Sequence, residues 1–170
     1  MTFESRKTNE IRSNNFMKKY LSPCVLDIGA GPDPVVKHCT TFDVEDGDAN
    51  KILDHFQAES FDTVYSSHCL EHMIDAKSCL LDWWKVVRRG GFLIIVVPHE
   101  DLYEQYHWPS LFNDDHKWTF RAKNKSSWSP VSINLADEVK NLPNSKLLEL
   151  EIQDYRFDYN LMLPKQIKIR

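Results

Sequence analysis

The sequence predicts an α/β fold with an open, mostly parallel sheet, and three observations support this. A short apolar strand, 24–28, closes on the glycine turn Gly29-Ala30-Gly31, which is typical of a buried parallel strand. Aromatic and β-branched residues form a second run at 61–66, and a continuous apolar run follows at 92–97. A helical pattern separates these two runs, and alternating strands and helices predict parallel strand-helix-strand units.

The helix between those strands has clear local signals. Asp75 is a suitable N-cap, and apolar residues then recur at helical spacing from Ala76 to Val87. The arginines 88–89 are expected in the last turn, where cations offset the negative helix end. Gly90-Gly91 is expected to stop the helix, and the apolar run 92–97 is expected to be a strand buried on both faces.

Composition and charge narrow the class of protein. A chain of 170 residues suffices for one domain with a real core, and its net charge of −4 supplies no large positive field for nucleic acid. Residues 1–20 contain no apolar stretch typical of a secretory signal, and no apolar run has the length of a membrane span. The four cysteines are isolated, which favours free thiols in a reducing cytoplasm. We expect a cytoplasmic protein without a membrane or nucleic-acid partner, and the oligomeric state stays open.

The glycine turn selects the kind of ligand. A dinucleotide fingerprint requires a third glycine, but Pro34 stands at that position and Pro32 precedes it. Two prolines stiffen the loop and remove N–H donors that a pyrophosphate would need. The loop therefore favours a ligand that has no phosphate and carries its own positive charge, and Asp27 suits an ammonium group.

A second acid lies at the end of the next predicted strand, 40–44. Asp43 follows the glycine turn at the distance where an acid commonly accepts hydrogen bonds from ribose hydroxyls. The alternative interpretation is a solvated turn acid.

Three segments together resemble a known family. Residues 25–32 resemble motif I of the class I S-adenosylmethionine (SAM)-dependent methyltransferases, and in particular their type 11 subgroup. The block from Phe61 through Leu70-Glu71-His72 is similar to the motif IV region, and residues 86–98 resemble the Gly-Gly turn and fifth strand of the family. The resemblance covers 24–98 and implies a Rossmann-like, doubly wound sheet with SAM as cofactor.

The resemblance also implies site residues and a shortened sheet. The family places a helix and a third strand between the ribose acid and a loop whose acid faces adenine, but only four residues separate Asp43 from Asp48. We therefore expect that helix and strand to be reduced or deleted, and the sheet to have fewer than the usual seven strands. The expected cofactor-binding residues are Asp27, Gly29, Ala30, Gly31, Asp43, Val44, Asp48, Ala49, Ser66 and Ser67.

The remaining segments are assigned within a single domain, 1–170. Residues 1–20 form a leader with a short helix over 5–20, which in the family packs beside the cofactor pocket, or else a frayed tail. Residues 99–130 are expected to be a substrate-side insert or lid. A helix is indicated at 135–142, and the alternating residues 148–152 are strand-like. The resemblance implies a terminal antiparallel strand pair in this part of the chain, with 166–170 as its last strand.

Methyl transfer requires mainly that the protein binds and aligns two partners, because the charge of SAM already activates the methyl group. A hydroxyl acceptor benefits from a base, and histidine has the appropriate pKa range. The catalytic candidates are His68, His99 and His116, although each could instead serve packing or substrate orientation.

The segment 99–120 contains further chemistry-bearing residues. Its His and Asp side chains are possible metal ligands, but they lack a characteristic zinc spacing, so we predict no metal. Its aromatic residues could stack on a sugar, but they are more typical of a small local core.

The sequence therefore predicts a SAM-dependent methyltransferase that acts on an O or N atom of a small molecule, possibly a sugar or a saccharide precursor. The alternatives are an RNA or protein methyltransferase, or a non-catalytic SAM-binding partner subunit. The acidic balance argues against RNA.

Overall fold

A computed structural model describes residues 4–122 and 126–164 of the chain. The chain divides into two compact units, residues 1–97 and residues 98–170. The prediction that the whole chain forms one methyltransferase domain, with 99–130 on the substrate side, stays a prediction.

Unit 1 contains a four-stranded sheet in which every neighbouring pair is parallel. The strand order is β2 (Thr40–Phe42), β1 (Val25–Ile28), β3 (Phe61–Ser67) and β4 (Val87–Val96). The central strands β1 and β3 consist of almost entirely buried residues, as expected for a parallel sheet covered on both faces. The fold class predicted from the sequence is thus confirmed.

The leader contains two helices where one was expected. Helix α1 covers Glu4–Ile11 and helix α2 covers Asn14–Tyr20. Ser13 caps α2, because its hydroxyl accepts the backbone N–H of Phe16 at 3.1 Å. A residue with an extended backbone and an accepting side chain starts a new helix. Arg12 therefore lies in the short connection between α1 and α2.

Each face of the sheet has its own cover. On one face Phe16 and Met17 of α2 pack against a buried cluster of Leu21, Val25, Val35 and Tyr65. Helix α4 (Ala76–Val86) contacts β3 and β4. The apolar stripe that the sequence predicts is buried from Ala76 to Trp83, and Val86 is the last buried residue of the helix. Its N-cap is Asp75, as predicted, which accepts from the backbone N–H groups of Lys77 and Ser78.

The predicted shortening of the sheet is confirmed for the described residues. After β2 the chain passes through a 3₁₀ turn (Ala49–Lys51) and helix α3 (Ile52–His55), and then enters β3 directly. No strand of the described part lies between β2 and β3, so β2 is an edge strand.

The predicted end of α4 is wrong. The helix stops at Val86, and Arg88 and Arg89 lie in β4 rather than in the last helical turn. Both arginines are held by acids near the start of β3, since Arg88 pairs with Asp62 at 3.1 Å and Arg89 pairs with Glu59 at 3.3 Å. These ion pairs form only in the folded chain, so helix-end rules did not reveal them.

Gly90-Gly91 serves a bulge instead of a helix stop. The register between β3 and β4 shifts from Phe61 opposite Val87 to Thr63 opposite Phe92. A Cβ on Gly91 would collide with the backbone carbonyl oxygen of Asp62, so the close approach of the two strands requires glycine there.

The prediction that 92–97 is buried on both faces is also wrong. Residues 92–96 are only half-buried, because β4 is an edge strand of the sheet that the described residues form.

Unit 2 is built differently. Strand β5 (Thr119–Arg121) pairs in parallel with β6 (Ser132–Asn134), and α5 (Leu135–Asn141) follows at once. The predicted helix at 135–142 is confirmed. Asn134 caps it through its amide oxygen, which accepts the N–H of Ala136 at 3.1 Å.

The expected antiparallel terminal pair is not formed by the described residues. Residues 146–154 have no regular structure, and Leu148 and Ile152 are exposed. Alternating polarity produces a strand only when a neighbouring strand and a core are present for its apolar side. The expected last strand, 166–170, lies outside the described residues.

Two further observations concern the chain as a whole. No helix in the described ranges combines the length and the apolarity needed to cross a membrane.

All four cysteines are free thiols, and burial raises the pKa of Cys69 and of Cys79 to about 12. These two thiols are therefore protonated and poor nucleophiles.

Candidate cofactor site

The carboxyl edge of the unit 1 sheet brings several predicted site residues together. The glycine turn follows β1, Asp43 follows β2, and Ser66 and Ser67 end β3. One carboxylate oxygen of Asp43 accepts the backbone N–H of Gly31 at 2.6 Å. The predicted ribose acid is thus joined directly to the predicted cofactor turn.

The glycine turn lies against the loop that follows β3. Gly29 has φ of +74°, and a Cβ there would lie 2.7 Å from the Cβ of Cys69. A side chain at this position would therefore be strained by its backbone and would also displace the neighbouring loop. Gly29 also donates its N–H to the carbonyl of Phe42 at 2.8 Å, which ties the turn to β2, while Ala30 is buried at its centre.

Asp27 is a buried acid on β1. Its side chain is 2% exposed, and one carboxylate oxygen accepts the N–H of Val35 at 2.7 Å. Burial raises its pKa from 3.8 to about 6, while the Val35 N–H and the charge of Arg12 oppose this increase. An ammonium group next to Asp27 would compensate the cost of burying its charge.

The two serines that end β3 differ in their bonding. Ser66 donates its hydroxyl to the carbonyl of Ile28 at 3.0 Å, which links β3 to β1. The hydroxyl oxygen of Ser67 is buried and has no hydrogen-bond partner among the described residues. A buried polar atom in this condition is uncommon and indicates a missing partner such as a ligand or a water molecule.

The expected adenine side of the site is the loop after Asp43. Val44 is 78% exposed, which leaves an apolar side chain available beside the ribose acid. Asp48 caps the following 3₁₀ turn, and its side chain accepts the Asn50 N–H at 2.9 Å. Hydrogen bonds from Asn50 hold the pKa of Asp48 below its usual range. The carbonyl of Ala49 accepts the indole N–H of Trp83 at 3.0 Å, and the adenine role of this loop stays a prediction.

His68 follows β3 directly and is held in an unusual conformation. Its φ of +54° is uncommon for a residue with a side chain, and its N–H bonds the carbonyl of Val96 at 2.9 Å. Nδ1 lies 3.5 Å from Oε1 of Glu71, and the two side chains are 27% and 0% exposed. Sequence reasoning gave Glu71 no role, because its burial could not be read from the Leu70-Glu71-His72 triplet.

The other two catalytic candidates lie in unit 2, and their surroundings differ. Nδ1 of His99 accepts the N–H of Asp101 at 3.2 Å, so the neutral ring carries its proton on Nε2. Nδ1 of His116 lies 2.6 Å from Oε1 of Glu104, and the side chains are 2% and 1% exposed. The ring of Tyr103 is tilted against that of His116, with 5.0 Å between centroids.

A second buried carboxylate in unit 2 was missed by sequence reasoning. Glu100 is 1% exposed and accepts hydroxyl groups of Ser127, at 2.7 Å, and of Ser132. Trp128 donates its indole N–H to Asp101 at 2.9 Å. The serine and tryptophan donors named here lie 27 to 32 positions from their carboxylates in the sequence, so no local motif marks them.

The possible metal ligands of 99–116 do not form a ligand set among themselves. Within the described part of unit 2, no three His, Cys, Asp or Glu side chains offer ligand atoms within 4.8 Å of one another. Of the aromatic residues, Phe120 is 1% exposed, while Phe112 is about half exposed and contacts Tyr103 edge to face.

The carboxyl edge of unit 1 fits SAM by the chemistry of its groups. Asp43 offers acceptors for hydroxyls, Asp27 offers a carboxylate for an ammonium group, and Ser67 offers an unsatisfied hydroxyl. The prolines after the turn remove N–H donors, which disfavours a phosphate but does not affect a sulfonium nucleoside.

Comparisons with known proteins agree with this chemistry. Residues 19–95 match the family model of the type 11 "methyltransferase domain". No curated protein matches the chain.

Among solved structures, the chain is similar to YcgJ from Bacillus subtilis, with 18% identity and a TM-score of 0.44, over 57% of this chain and 55% of that one. The chain is also similar to a putative methyltransferase from Bacillus halodurans, with 22% identity and a TM-score of 0.38, over 56% of this chain and 46% of that one. A third similar structure is the methyltransferase CalH in complex with SAH, with 16% identity and a TM-score of 0.33, over 42% of this chain and 30% of that one. The matched part of this chain thus spans about a third to just over half of these proteins, and no functional argument rests on TM-scores this low.

Proposed function

We propose that this chain, which carries a SAM-dependent methyltransferase domain of the type 11 family in residues 19–95, transfers a methyl group to an O or N atom of a small molecule. The observation that carries the proposal is the bond from Gly31 to Asp43 at 2.6 Å. This bond joins the glycine turn, which disfavours a phosphate, to the acid that we assign to the ribose.

Each group at the sheet edge has a part in binding. Asp43 accepts the N–H of Gly31 on one carboxylate oxygen and the N–H of Val44 on the other. Each oxygen keeps a lone pair for a ribose hydroxyl, since a carboxylate oxygen can accept two hydrogen bonds. Asp27 is the candidate for the cofactor ammonium group, and the hydroxyl of Ser67 is available at the end of β3. When bound, SAM supplies the activated methyl group, and the protein holds and orients the reactants.

Among the predicted bases, His68 is favoured. It belongs to the same unit as the glycine turn, it is partly exposed, and the buried Glu71 lies on its Nδ1 side. A carboxylate near Nδ1 favours the tautomer with the proton on that atom, which leaves Nε2 able to accept a proton from an acceptor hydroxyl. In His99 the Nδ1 acceptor bond places the proton on Nε2 instead, so that nitrogen cannot act as a base.

The net charge of the chain bears on which class of methyl acceptor we propose. A net charge of −4 disfavours RNA and is compatible with a small neutral acceptor, and a sugar hydroxyl would use the base proposed here. We place the reaction in the cytoplasm, where free thiols such as those of this chain persist.

The test is SAM binding by titration calorimetry. Asp43→Ala should weaken SAM binding at least about tenfold, because it removes a charged acceptor of ribose hydroxyls. Asp43→Asn retains an acceptor for the Gly31 N–H and separates collapse of the loop from loss of ribose contacts. Unchanged affinity in Asp43→Ala would contradict the ribose assignment.

A second candidate, a SAM-binding subunit without catalysis, is favoured by the reduced four-stranded sheet. Tight SAM binding without turnover on a panel of hydroxyl and amine acceptors, even when cell extract is added, would support it over the enzyme.

A further inference from the structure

We propose that the outer edge of β4 is a docking surface for a second copy of this chain, in which the β4 strands of the two copies pair in antiparallel orientation. The two four-stranded sheets then join into one continuous sheet of eight strands. The pairing is independent of the proposed function, because it uses the long side of an edge strand and not the cofactor site.

The two edges of the unit 1 sheet differ in character. Strand β2, at one edge, has only three residues, and its exposed residues Thr40 and Thr41 are polar. Strand β4, at the other edge, has ten residues, and the stretch 92–96 within it is entirely apolar. Natural sheets protect a free edge with short strands, charged side chains or proline. The stretch 92–96 has none of these devices, so its outer side is suited to a further strand.

The exposure of β4 has the pattern of an unpaired edge. All residues of 91–97 are half-buried, without alternation along the strand. A strand with one uncovered face alternates between buried and exposed residues, so the exposure arises from the unpaired side. Both faces have packing, since Ile94 and Val96 contact the buried cluster of Leu21 and Tyr65 and helix α4 contacts β4. No strand within the described ranges pairs with the outer side of β4.

The backbone groups at this edge can be assigned residue by residue. The carbonyl of Val96 accepts the N–H of His68 at 2.9 Å, so the backbone groups of Val96 point toward β3. Successive residues of a strand point their backbone groups to opposite sides, and those of Ile94 therefore also face β3. Leu93 and Ile95 present their N–H and C=O groups to the outer edge, and half-buried backbone groups require hydrogen-bond partners.

These outward groups define one register between two copies. With a two-fold axis at Ile94, Leu93 of one copy lies opposite Ile95 of the other, and each such pair exchanges two hydrogen bonds. Phe92 lies opposite Val96 in the same register. Every facing pair is apolar, and no like charges meet. Pairs of aromatic and β-branched residues stabilise antiparallel strands, so the edge is complementary to itself.

The strand-like segment 148–152 is a less suitable occupant of this edge. Its apolar residues alternate with Glu149 and Glu151, so a strand formed by it places two carboxylates on one face of the sheet. Both faces of β4 are packed with apolar residues, and burial of an uncompensated carboxylate is costly. A second β4 strand brings no charge in 92–96 and avoids this cost.

The pairing closes on itself. It uses the β4 edge of both copies, and the joined sheet then ends on a short β2 strand at each side. A two-fold dimer forms in this way and not an open filament. Because the two β4 strands are antiparallel, the carboxyl edges of the two sheets face opposite directions, and the glycine turns of the two copies lie at opposite ends of the joined sheet.

Sedimentation velocity of the full chain without ligand tests the oligomeric state. We expect a species with the mass of two chains that dissociates on dilution. A chain that stays monomeric up to its solubility limit would overturn the proposal, because the β4 edge would then be covered by its own chain or left without a partner.

Matched proline variants locate the interface. Ile95→Pro removes an outward N–H and spares the ladder to β3, and proline is tolerated where a strand N–H faces outward at an edge. It should weaken dimerisation at least about tenfold, because one hydrogen bond per copy is lost. Thr41→Pro is the control at the other edge, since Phe42 bonds Gly29 of β1 and Thr41 therefore faces outward. Its dimerisation should stay within about twofold of the wild type, and circular dichroism checks that both variants fold.

Amide hydrogen exchange followed by NMR tests the same register without any substitution. The N–H groups of Leu93 and Ile95 should be protected in the dimer and should exchange at least about tenfold faster on dilution, whereas Ile94 stays protected throughout. Leu161→Ser replaces a 77% exposed apolar residue of unit 2 and should leave the dimer intact. Fast exchange of Leu93 and Ile95 in the dimer, or loss of the dimer in Leu161→Ser, would place the interface elsewhere and overturn the proposal.

Discussion

The two units of this chain each contain a histidine beside a buried carboxylate, and the two pairs differ in exposure and distance. In unit 1, His68 is 27% exposed and its Nδ1 lies 3.5 Å from Glu71. In unit 2, His116 is 2% exposed and its Nδ1 lies 2.6 Å from Glu104. The same two residue types thus form a loose, accessible pair in one unit and a tight, buried pair in the other.

The difference shows which pair suits proton transfer. A base must reach the proton that it abstracts, and of the two histidines compared here only His68 has an accessible ring. The backbone of His68, with φ of +54°, is also held in a strained conformation, as is frequent at functional sites. A buried histidine–carboxylate pair is instead expensive to disrupt, because loss of one partner leaves the other buried without compensation. We therefore assign reactivity to the first pair and stability to the second.

Removal of one partner of the buried pair in unit 2 should cause the largest loss of stability. His116→Ala leaves the Glu104 carboxylate, which is 1% exposed, without this partner, and should lower the free energy of unfolding by about 3 kcal/mol or more. Urea denaturation measures this. Glu104→Gln is the matched control, because it retains an acceptor for the ring N–H and should cost about 1 kcal/mol. A stable His116→Ala variant without turnover would reverse the assignment of the two pairs.

Replacement of the accessible histidine should affect rate and not stability. His68→Asn removes the titratable ring but tolerates the positive φ, since asparagine adopts the left-handed region readily. Turnover on a hydroxyl acceptor should fall about 100-fold or more, while SAM affinity stays within about twofold because the cofactor contacts assigned here do not include His68. His99→Ala serves as the comparison and should leave turnover nearly unchanged, because the proton of that ring already lies on Nε2. If His99→Ala lost more turnover than His68→Asn, the ranking of the bases would be wrong.

Lowering the pH should protonate Asp27, which should raise the free energy of unfolding but weaken SAM binding. Its pKa in the folded chain is about 6, above the ordinary value of 3.8, chiefly because of burial and despite the Val35 N–H and Arg12. The folded state therefore binds an extra proton between these values, and the free energy of unfolding should fall as pH rises from about 4 to about 6 and then level off. SAM affinity should instead fall as pH drops below about 6, by about tenfold per unit at most, because the ammonium group loses its charged partner.

Asp27→Asn provides the check on both pH profiles. This variant cannot ionise, so both its stability and its SAM affinity should be flatter across pH 4 to 7 than those of the wild type. Asp33 and Asp43 also act on this carboxyl, so Asp33→Asn is the control for their contribution. Profiles of Asp27→Asn that are unchanged from the wild type would show that another group is responsible.

The smallest effect is expected in unit 2 outside its buried pair. Leu148 is 56% exposed in a segment without regular structure, so Leu148→Ser should change the free energy of unfolding by less than about 0.5 kcal/mol. Ile133→Ala in β6, which is 4% exposed, is the contrasting variant and should cost about 2 kcal/mol or more. A large loss in Leu148→Ser would indicate that 148–152 is a covered strand after all.

Local signals in the sequence were sufficient for much of unit 1. The glycine turn, the parallel strands β1 and β3 and the N-cap at Asp75 follow from backbone freedom, apolar periodicity and side-chain capping. Each of these depends on residues close together in the chain. The shortened sheet was predictable only with the family resemblance, because the four residues between Asp43 and Asp48 have no room for the helix and strand that the family has there.

The tertiary structure decided whatever depends on partners distant in the sequence. Arg12 could be placed beside Tyr65 only by packing across 53 residues, and the buried serine contacts of Glu100 come from residues 27 and 32 positions away. Helix α4 ends at Val86 rather than at Gly90-Gly91, because the chain pairs with β3 from Val87 onward. Periodicity reports which side of an element is apolar, but the burial of a charge and the partner that compensates it are fixed only when the chain has folded.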